Sequence, residues 1–376
     1  MGQVGFDLGE QPLLNALHLF GIVAGDIEPL PLSRFAGFKR DQRPDRGSSA
    51  LPGDRDGEAV AGERQADLIY LNAPDPAQPL GYNPLTKVPD HLIPVAASGI
   101  MEAMQKLWGS QAWGQRMEHI LRNCLFALIE AGNATFPDVL RILTEPPFRA
   151  SILKRVKNET VRQFWLKEFP QYNPRYRQET LAPIQNKVGA LLSDPKLRRI
   201  FTNTEEPIRF RRIMDESKIL IVNLSKGEMG QDSSNMLGAL LVTTLGLAAM
   251  SRASLPATKR PPFFLYIDEF QAFTTESVAN MISELRKYGV GLTLAHQHLF
   301  QLEPKVRHAV LGNVGTMIAF RLGVEDAQLL EKEFHPVFGW EDLINLKNHD
   351  IYVKLLIDGM PSQPFSATTF PPRQLH

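Results

Sequence analysis

The sequence of 376 residues lacks the G-x-x-x-x-G-K-[ST] motif that binds nucleotide phosphates in P-loop proteins. It contains a single cysteine, Cys124, which excludes an intrachain disulfide and any metal site built from several thiolates. Because Cys124 falls on the apolar face of a helical pattern, we interpret it as a small core residue. Basic and acidic residues balance at 41 each, so the net charge indicates no partner.

Long apolar runs are also scarce, and we find none that reaches the roughly 18–20 residues of a membrane-spanning helix. The stretch 13–23 is short and interrupted by polar residues, so it does not predict a signal peptide. We therefore expect a soluble, cytoplasmic chain. Its composition, 43% hydrophobic and 22% charged, is that of a globular protein, with room for about two or three domains.

Residues 1–66 differ in composition from the rest of the chain. Between Phe38 and Leu68 the only large aliphatic residues are Leu51 and Val60. Such a segment buries too little apolar surface to offset its ordering entropy, which predicts a disordered or atypical region. A basic arm that binds nucleic acid is the alternative, but acidic residues are interleaved with the arginines.

The remaining sequence predicts an α/β domain interrupted by a helical one. Residues 94–201 have helical periodicity and no convincing strand, which predicts an inserted all-helical domain. Residues 67–93 and 202–376 alternate strands with helices, which predicts a mostly parallel sheet with right-handed crossovers. The predicted strands are 68–71, 219–222, 263–267, 290–294, 316–320 and 351–356.

Local signals also place the ends of three helices. Gly132 is expected to end one helix, and Gly289 to end the helix that Thr275 begins. Asp232 or Ser233 is expected to cap the apolar helix 233–250.

The most informative motif is the apolar run 263–267, which is followed by Asp268 and Glu269. Such a run is typical of a parallel strand buried on both faces, and open α/β sheets bind ligands at the carboxyl ends of their strands. In a nucleotide hydrolase an Asp at this position can hold Mg²⁺, and the following Glu can orient the attacking water. Two solvated acids at a strand end are the alternative interpretation.

Three further residues are candidates for the same chemistry. Gln297 follows the next predicted strand, and its amide can hydrogen-bond a γ-phosphate or the attacking water if the two strands are neighbours. Arg286 ends a helix, where it either offsets the helix dipole or acts as an arginine finger on a neighbouring subunit's nucleotide. Arg321, which follows the strand 316–320, is a weaker candidate near the same edge.

Two histidines and two basic clusters indicate a function less specifically. His296 and His298 lack further ligands at a spacing that fits a metal site. Two basic clusters could contact DNA phosphates or form solvated surface. The clusters are Lys154, Arg155 and Lys157, and Arg209, Arg211 and Arg212.

Several segments, taken in order, point to one family. They are 68–75 (LIYLNAPD), 81–85 (GYNPL), 218–227 (KILIVNLSKG), 265–271 (LYIDEFQ), 286–289 (RKYG), 295–297 (AHQ) and 311–316 (LGNVGT). With these segments, the stretch from about residue 67 to 372 resembles the cytoplasmic part of the type IV secretion coupling proteins. This VirD4/TraG/TraD group consists of conjugative DNA-transfer ATPases of the wider HerA/FtsK class.

The resemblance implies a RecA-like P-loop NTPase-type fold with an inserted all-α domain, and a ring of six subunits anchored at the inner membrane. It implies ATP-driven transfer of DNA with its attached relaxase to the type IV secretion channel. By position, Asp268 and Glu269 match the Walker B acids, Gln297 the phosphate-sensing glutamine and Arg286 the trans-acting arginine. ATP and Mg²⁺ are the implied ligands, with Asp268 as the metal ligand.

The sequence departs from this family at the phosphate-binding loop. Relatives carry the P-loop ahead of the position of Leu68, where this chain has residues 1–66. We therefore predict no useful ATP affinity for this polypeptide alone. Two other functions stay open: a HerA-like translocase in DNA repair or phage defence, and a non-catalytic scaffold that binds DNA or a relaxosome protein.

Overall fold

The structure, a computed structural model, describes residues 21–24, 62–109, 113–203 and 205–369. Most of the segment 1–66 therefore lies outside the described residues, and so does the prediction made for it. The chain divides into two units. The sheet unit contains 257–272, 279–369 and the described residues before 67, and the helical unit contains 67–256 and 273–278.

All six predicted strands are present, and their ends differ from the prediction by at most two residues. The strands are β1 (Gly21–Ala24), β2 (Leu68–Asn72), β3 (Leu80–Gly81), β4 (Glu206–Pro207), β5 (Ile219–Asn223), β6 (Phe263–Ile267), β7 (Val290–His296), β8 (Thr316–Ala319), β9 (Asp350–Lys354), β10 (Leu356–Ile357), β11 (Met360–Pro361) and β12 (Phe365–Thr368).

Most of the helices in the described residues lie between β3 and β5. In chain order, the helices are α1 (Ile93–Trp108), α2 (Gln115–Ala131), α3 (Asp138–Thr144), α4 (Pro146–Leu153), α5 (Glu159–Gln163), a π-helix (Phe164–Glu168), α6 (Phe169–Gln171), α7 (Pro174–Ser193), α8 (Pro195–Thr202), α9 (Phe210–Asp215), α10 (Lys226–Met229), α11 (Gln231–Ser251), α12 (Glu276–Leu285), α13 (Pro304–Asn313), α14 (Val324–Phe334) and α15 (Trp340–Ile344).

The sheet unit contains a six-stranded sheet in the order β12-β9-β8-β1-β7-β6. β8, β1, β7 and β6 run parallel to one another, and β9 is antiparallel to both of its neighbours. The prediction of a mostly parallel sheet is confirmed. Because the four parallel strands point the same way, their carboxyl ends meet at one edge of the sheet.

The position of β6 differs from the prediction. The strand pairs with β7 in parallel, as expected, but among the described residues it is the edge strand of the sheet. Phe264 and Tyr266 are 37% and 41% exposed, so the prediction of a strand buried on both faces is wrong. An apolar run shows only that both faces of a strand are apolar, and the sheet order decides what covers them.

The helical unit includes all of the predicted helical region. Between residues 94 and 201, the described part of the chain contains helices and no strand, as predicted. Cys124 is fully buried in its core, which confirms the interpretation of this residue. The unit also contains β2 and β5, which form a separate two-stranded parallel sheet with Leu68 opposite Ile219.

The two helix ends that were predicted from glycine residues are present in the structure. Gly132 and Gly289 have φ angles of +75° and +74°, in the left-handed region that ends helices. The N–H of Val278 reaches the hydroxyl of Thr275 at 3.4 Å, as expected of a cap. The predicted cap of α11 is wrong, because this helix begins after Gly230 with no side-chain cap.

One helical segment of the described residues, Gln231–Ser254, is long and apolar enough to cross a membrane by length and composition alone. The expectation that no such stretch exists is therefore wrong. However, 67% of the apolar 18-residue stretch in this segment is buried inside the fold, as in the core helix of a soluble protein.

Candidate functional site

The candidate site lies at the carboxyl edge of the parallel strands in the sheet unit. Asp268 and Glu269 follow β6, and Gln297 follows β7. The two strands pair in parallel with Ile267 opposite Leu294, so their loops leave the sheet side by side. The structure therefore brings together two of the elements that the sequence predicts to converge.

Glu269 is the centre of a hydrogen-bond cluster at this edge. Its Oε1 accepts from Nε2 of Gln297 at 2.7 Å, and its Oε2 accepts from Nε2 of Gln271 at 2.6 Å. Its backbone has a φ angle of +51°, in the left-handed region, which costs a non-glycine residue about 1 kcal/mol. Strained backbone of this kind is concentrated at functional sites.

Asp268 is exposed, and its Oδ1 accepts from the backbone N–H of Glu269 at 2.9 Å. Mg²⁺ usually takes one or two carboxylates together with water and phosphate oxygens. An exposed carboxylate at a strand end fits this requirement. No group of three or more His, Cys, Asp or Glu that could hold a metal by itself is present in the described part of the chain.

His296 is the last residue of β7, next to Gln297, and it is buried. Only 2% of it is exposed, and its ring packs edge-on against Phe270 with centroids 5.1 Å apart. Neither ring nitrogen has a hydrogen-bond partner within the described residues. Burial, helped by the charge of His298, lowers the pKa of His296 to about 4, so the ring is neutral near pH 7.

Arg321 is exposed and follows β8, at the same edge as Glu269. β1 and β7 lie between β8 and β6, the strand that Glu269 follows, so these two strands are about 14 Å apart. Arg321 therefore does not join the Glu269 cluster, and it can flank only a ligand that extends along this edge.

Arg286 lies at the opposite edge of the sheet. It is exposed and precedes β7, whereas Gln297 follows this strand. The seven residues of β7 span about 20 Å. Within one subunit, Arg286 therefore cannot act on a ligand held at Glu269.

The basic clusters of the helical unit differ in how far they are neutralised. Arg211 Nε lies 2.5 Å from Asp215 and Arg212 Nε lies 2.6 Å from Glu216. In the other cluster, Lys154, Arg155 and Lys157 are all exposed. The cluster around residue 155 is therefore the better candidate for an anionic partner.

The sequence analysis did not predict the contribution of two residues at this edge, Gln271 and His296. Gln271 lies two residues after Glu269, and only the left-handed turn at Glu269 brings its amide back to the carboxylate. His296 was considered only as a metal ligand. Its burial follows from its place on a strand, where the residues from Val290 to His296 alternate between buried and half-buried.

Comparison with known families identifies the chain. Residues 89–354, well over half of the sequence, match the family model described as the type IV secretion-system coupling protein DNA-binding domain. The chain belongs to this family. The resemblance noted in the sequence is thus confirmed, whereas no curated protein matches the chain.

Solved structures show the fold of this coupling protein. The plasmid coupling protein TrwB in complex with the GTP analogue GDPNP has a TM-score of 0.61 at 14% identity and covers 96% of this chain and 89% of its own. TrwB in complex with ADP and Mg²⁺ has a TM-score of 0.61 at 15% identity, covering 96% and 88%. VirB4 of Thermoanaerobacter pseudethanolicus has a TM-score of 0.52 at 12% identity, covering 91% and 87%.

These likenesses confirm the predicted fold class. The coupling protein has a RecA-like P-loop NTPase-type fold with a helical domain. At these identities the likeness concerns the fold alone.

Proposed function

We propose that this chain is the motor-core portion of a conjugative coupling ATPase, which moves DNA with its attached relaxase by ATP hydrolysis at subunit interfaces. The observation that supports this most directly is the Glu269 carboxylate, which Gln297 and Gln271 hold at the carboxyl edge of a parallel sheet. Membership of the coupling-protein family favours this role over a HerA-like translocase in repair or defence.

In this proposal the residues of the edge have distinct tasks. Bound Mg²⁺-ATP supplies the phosphoryl group, with its charge offset by the cation. Asp268 holds the cation through an exposed carboxylate oxygen. Glu269 orients a water molecule and takes up its proton. Gln297 reports the bound state, because its amide can exchange the carboxylate of Glu269 for a phosphate oxygen.

The two arginines act from different sides. Arg321 flanks the phosphates from the end of β8. Arg286 lies at the opposite edge, too far from the ligand of its own subunit, and in this proposal it acts on the nucleotide of a neighbouring subunit. This assignment implies an assembly, and we propose the homo-hexamer of the family, working at the cytoplasmic face of the inner membrane beside the type IV secretion channel.

The missing G-x-x-x-x-G-K-[ST] motif sets a limit on this function. A P-loop supplies the backbone N–H groups and the lysine that bind the β- and γ-phosphates. We propose that the polypeptide alone neither binds ATP usefully nor hydrolyses it.

Calorimetric titration of ATP with Mg²⁺ tests both parts of the proposal. The native chain is compared with the same chain carrying a coupling-protein P-loop segment ahead of residue 67, after circular dichroism shows that the graft is folded. We expect binding only in the grafted chain. Binding by the native chain would contradict the inference from the missing motif.

The role of Glu269 is tested in the grafted chain. Glu269→Gln should keep ATP binding and abolish hydrolysis, because the amide cannot take up the proton of the attacking water. Hydrolysis at the unsubstituted rate would show that Glu269 does not activate water.

A further inference from the structure

A cleft of about 280 Å³ opens on the helical unit, far along the chain from the Glu269 cluster. One wall is a face of α4 on which Pro146, Arg149, Ala150 and Leu153 recur at helical spacing. The other wall is the helical segment 162–166, and Lys154 lies at the rim. Two helix faces thus present side chains to one cavity, the usual form of a groove for a peptide.

The lining of the cleft carries three cations, Arg149, Lys154 and Arg162, and no carboxylate. Arg162 has an ion-pair partner outside the lining, Glu159, whose Oε2 is 4.0 Å from Arg162 Nε and whose side chain is 73% exposed. Such an exposed and distant pair contributes little. The cleft therefore has an uncompensated positive charge, which favours an anionic ligand.

The two arginines of the cleft are held in place by backbone carbonyls. Arg149 Nη1 donates to Ile142 O at 3.0 Å, and Arg162 Nη1 donates to Leu153 O at 2.7 Å. A guanidinium group has five N–H donors, so these bonds fix its orientation and leave donors for a carboxylate. Binding to such preorganised groups costs less side-chain entropy.

An exposed leucine adds an apolar element to the cleft. Leu166 is 55% exposed, and it is the one large apolar side chain so exposed within the described part of the helical unit. It lies in the π-helix Phe164–Glu168, next to Trp165, which is 2% exposed. π-helical turns are rare in proteins and are frequently found at functional sites.

We propose that this cleft binds an acidic, aliphatic peptide segment of a partner protein. An aliphatic side chain of the peptide packs against Leu153 and Leu166, and flanking carboxylates bind Arg149, Arg162 and Lys154. The size fits, because about 280 Å³ is just below the range of pockets for whole small molecules and suits one side chain with its neighbours. The proposal is independent of ATP binding at Glu269.

A nucleic acid fits this cleft less well. Single strands gain affinity by stacking bases on exposed aromatic faces, but Trp165 is 2% exposed and has the Cζ of Arg149 over its ring at 5.7 Å. Phosphates alone would satisfy the cations and leave the apolar wall uncovered. A peptide with both carboxylates and an aliphatic side chain matches both parts of the lining.

Fluorescence anisotropy on the full chain tests the proposal. The probe is a fluorescein-labelled hexapeptide of alternating Glu and Leu, compared with the Lys and Leu peptide of the same pattern. Lys154→Glu and Leu166→Ser are the test variants, since both side chains are exposed. Lys167→Glu is the matched control, because Lys167 is exposed in the same π-helix and does not line the cleft.

We expect the acidic peptide to bind and the basic peptide not to bind. Each test variant should weaken the acidic peptide at least tenfold, whereas Lys167→Glu should change its affinity less than twofold. Absence of binding, or equal losses in Lys154→Glu and Lys167→Glu, would overturn the proposal. So would a twelve-nucleotide single strand that displaces the peptide and shows the same losses in both test variants, because the cleft would then be a nucleic-acid site.

Discussion

The amide of Gln297 donates to Oε1 of Glu269 over 2.7 Å, although the two residues are 28 positions apart in the sequence. The parallel pairing of β6 with β7 places them together. With Gln271 on Oε2, the carboxylate is held by two neutral donors and is not simply solvated. This geometry argues against a merely solvated acid at Glu269, whereas Asp268 is exposed.

The left-handed backbone at Glu269 leads to a stability prediction. Glu269→Ala and Glu269→Gly both remove the acceptor of the two amides, but only glycine relieves the φ angle of +51°. We therefore expect the glycine variant to be more stable than the alanine variant by about 1 kcal/mol. The free energies of unfolding in urea give this difference.

The control for this comparison is Glu341, an exposed residue of α15 in the same unit. Alanine is favoured over glycine in helices, by up to about 1 kcal/mol in the interior, so the order of the two variants should be reversed there. A Glu269→Ala variant that is more stable than Glu269→Gly, as expected at Glu341, would contradict the left-handed conformation of Glu269.

A buried ion pair in the helical unit leads to a second prediction. Arg252 is fully buried, and its Nε lies 3.2 Å from Oδ1 of Asp215, whose side chain is 29% exposed. Asp215→Ala removes this carboxylate from the buried Arg252 and also from the half-buried Arg211. We expect a loss of about 2–4 kcal/mol of unfolding free energy, slightly below the range for fully buried pairs. Denaturant unfolding measures the loss.

Two further variants test whether this loss comes from the buried ion pair. Asp215→Ala combined with Arg252→Met should recover most of it, because apolar residues often replace a buried pair without cost. Glu216→Ala, which breaks an ion pair with the exposed Arg212, should cost less than about 1 kcal/mol. Equal losses in Asp215→Ala and Glu216→Ala would show that the buried pair has no special weight.

A third prediction concerns the start of α12. The carboxylate of Glu102, on α1, accepts from both the backbone N–H and the hydroxyl of Ser277 at 2.6 Å. It therefore satisfies a free N–H group of the first helical turn from outside the helix. Glu102→Ala should cost about 1–2 kcal/mol of unfolding free energy, and Glu102→Gln less, because its amide oxygen still accepts.

A double-mutant cycle with Ser277→Ala isolates the bond to the hydroxyl. We expect a coupling of roughly 0.5–1 kcal/mol between the two substitutions. Strictly additive losses would indicate that Glu102 stabilises the unit through other contacts.

The sequence predicted those features of the fold that depend on local pattern. The strands, their parallel direction and the glycine ends of two helices follow from periodicity and backbone preference. The convergence of Glu269 with Gln297 could also be predicted, because parallel strands that follow one another are usually neighbours. The failures concern features that local pattern does not decide: Ser233 lies inside α11, which begins two residues earlier, and its hydroxyl donates to Asp194, 39 residues away.

The same reason limits what the sequence shows of the site. Gln271 joins the cluster through a left-handed turn at a glutamate, a conformation that residue preference does not predict. The edge position of β6 depends on the order of strands across the sheet, which the run 263–267 does not encode. The pairing of Glu102 with Ser277 joins residues 175 positions apart.

The buried His296 predicts how stability depends on pH. Burial lowers its pKa from 6.5 to about 4, so the unfolded chain takes up this proton more readily than the folded chain. Above pH 6.5 the group has no effect, and as the pH falls from 6.5 towards 4 it destabilises the fold, by about 3 kcal/mol at pH 4.

His296→Leu should therefore lose less unfolding free energy than the original chain between pH 7.5 and 4. The difference in unfolding free energy between the two pH values is taken within each variant, so that the effect of the substitution on packing cancels. His308→Leu, at an exposed position, is the control and should show the same difference as the original chain. If His296→Leu and the original chain lose stability in parallel, the ring of His296 is not buried in its neutral form.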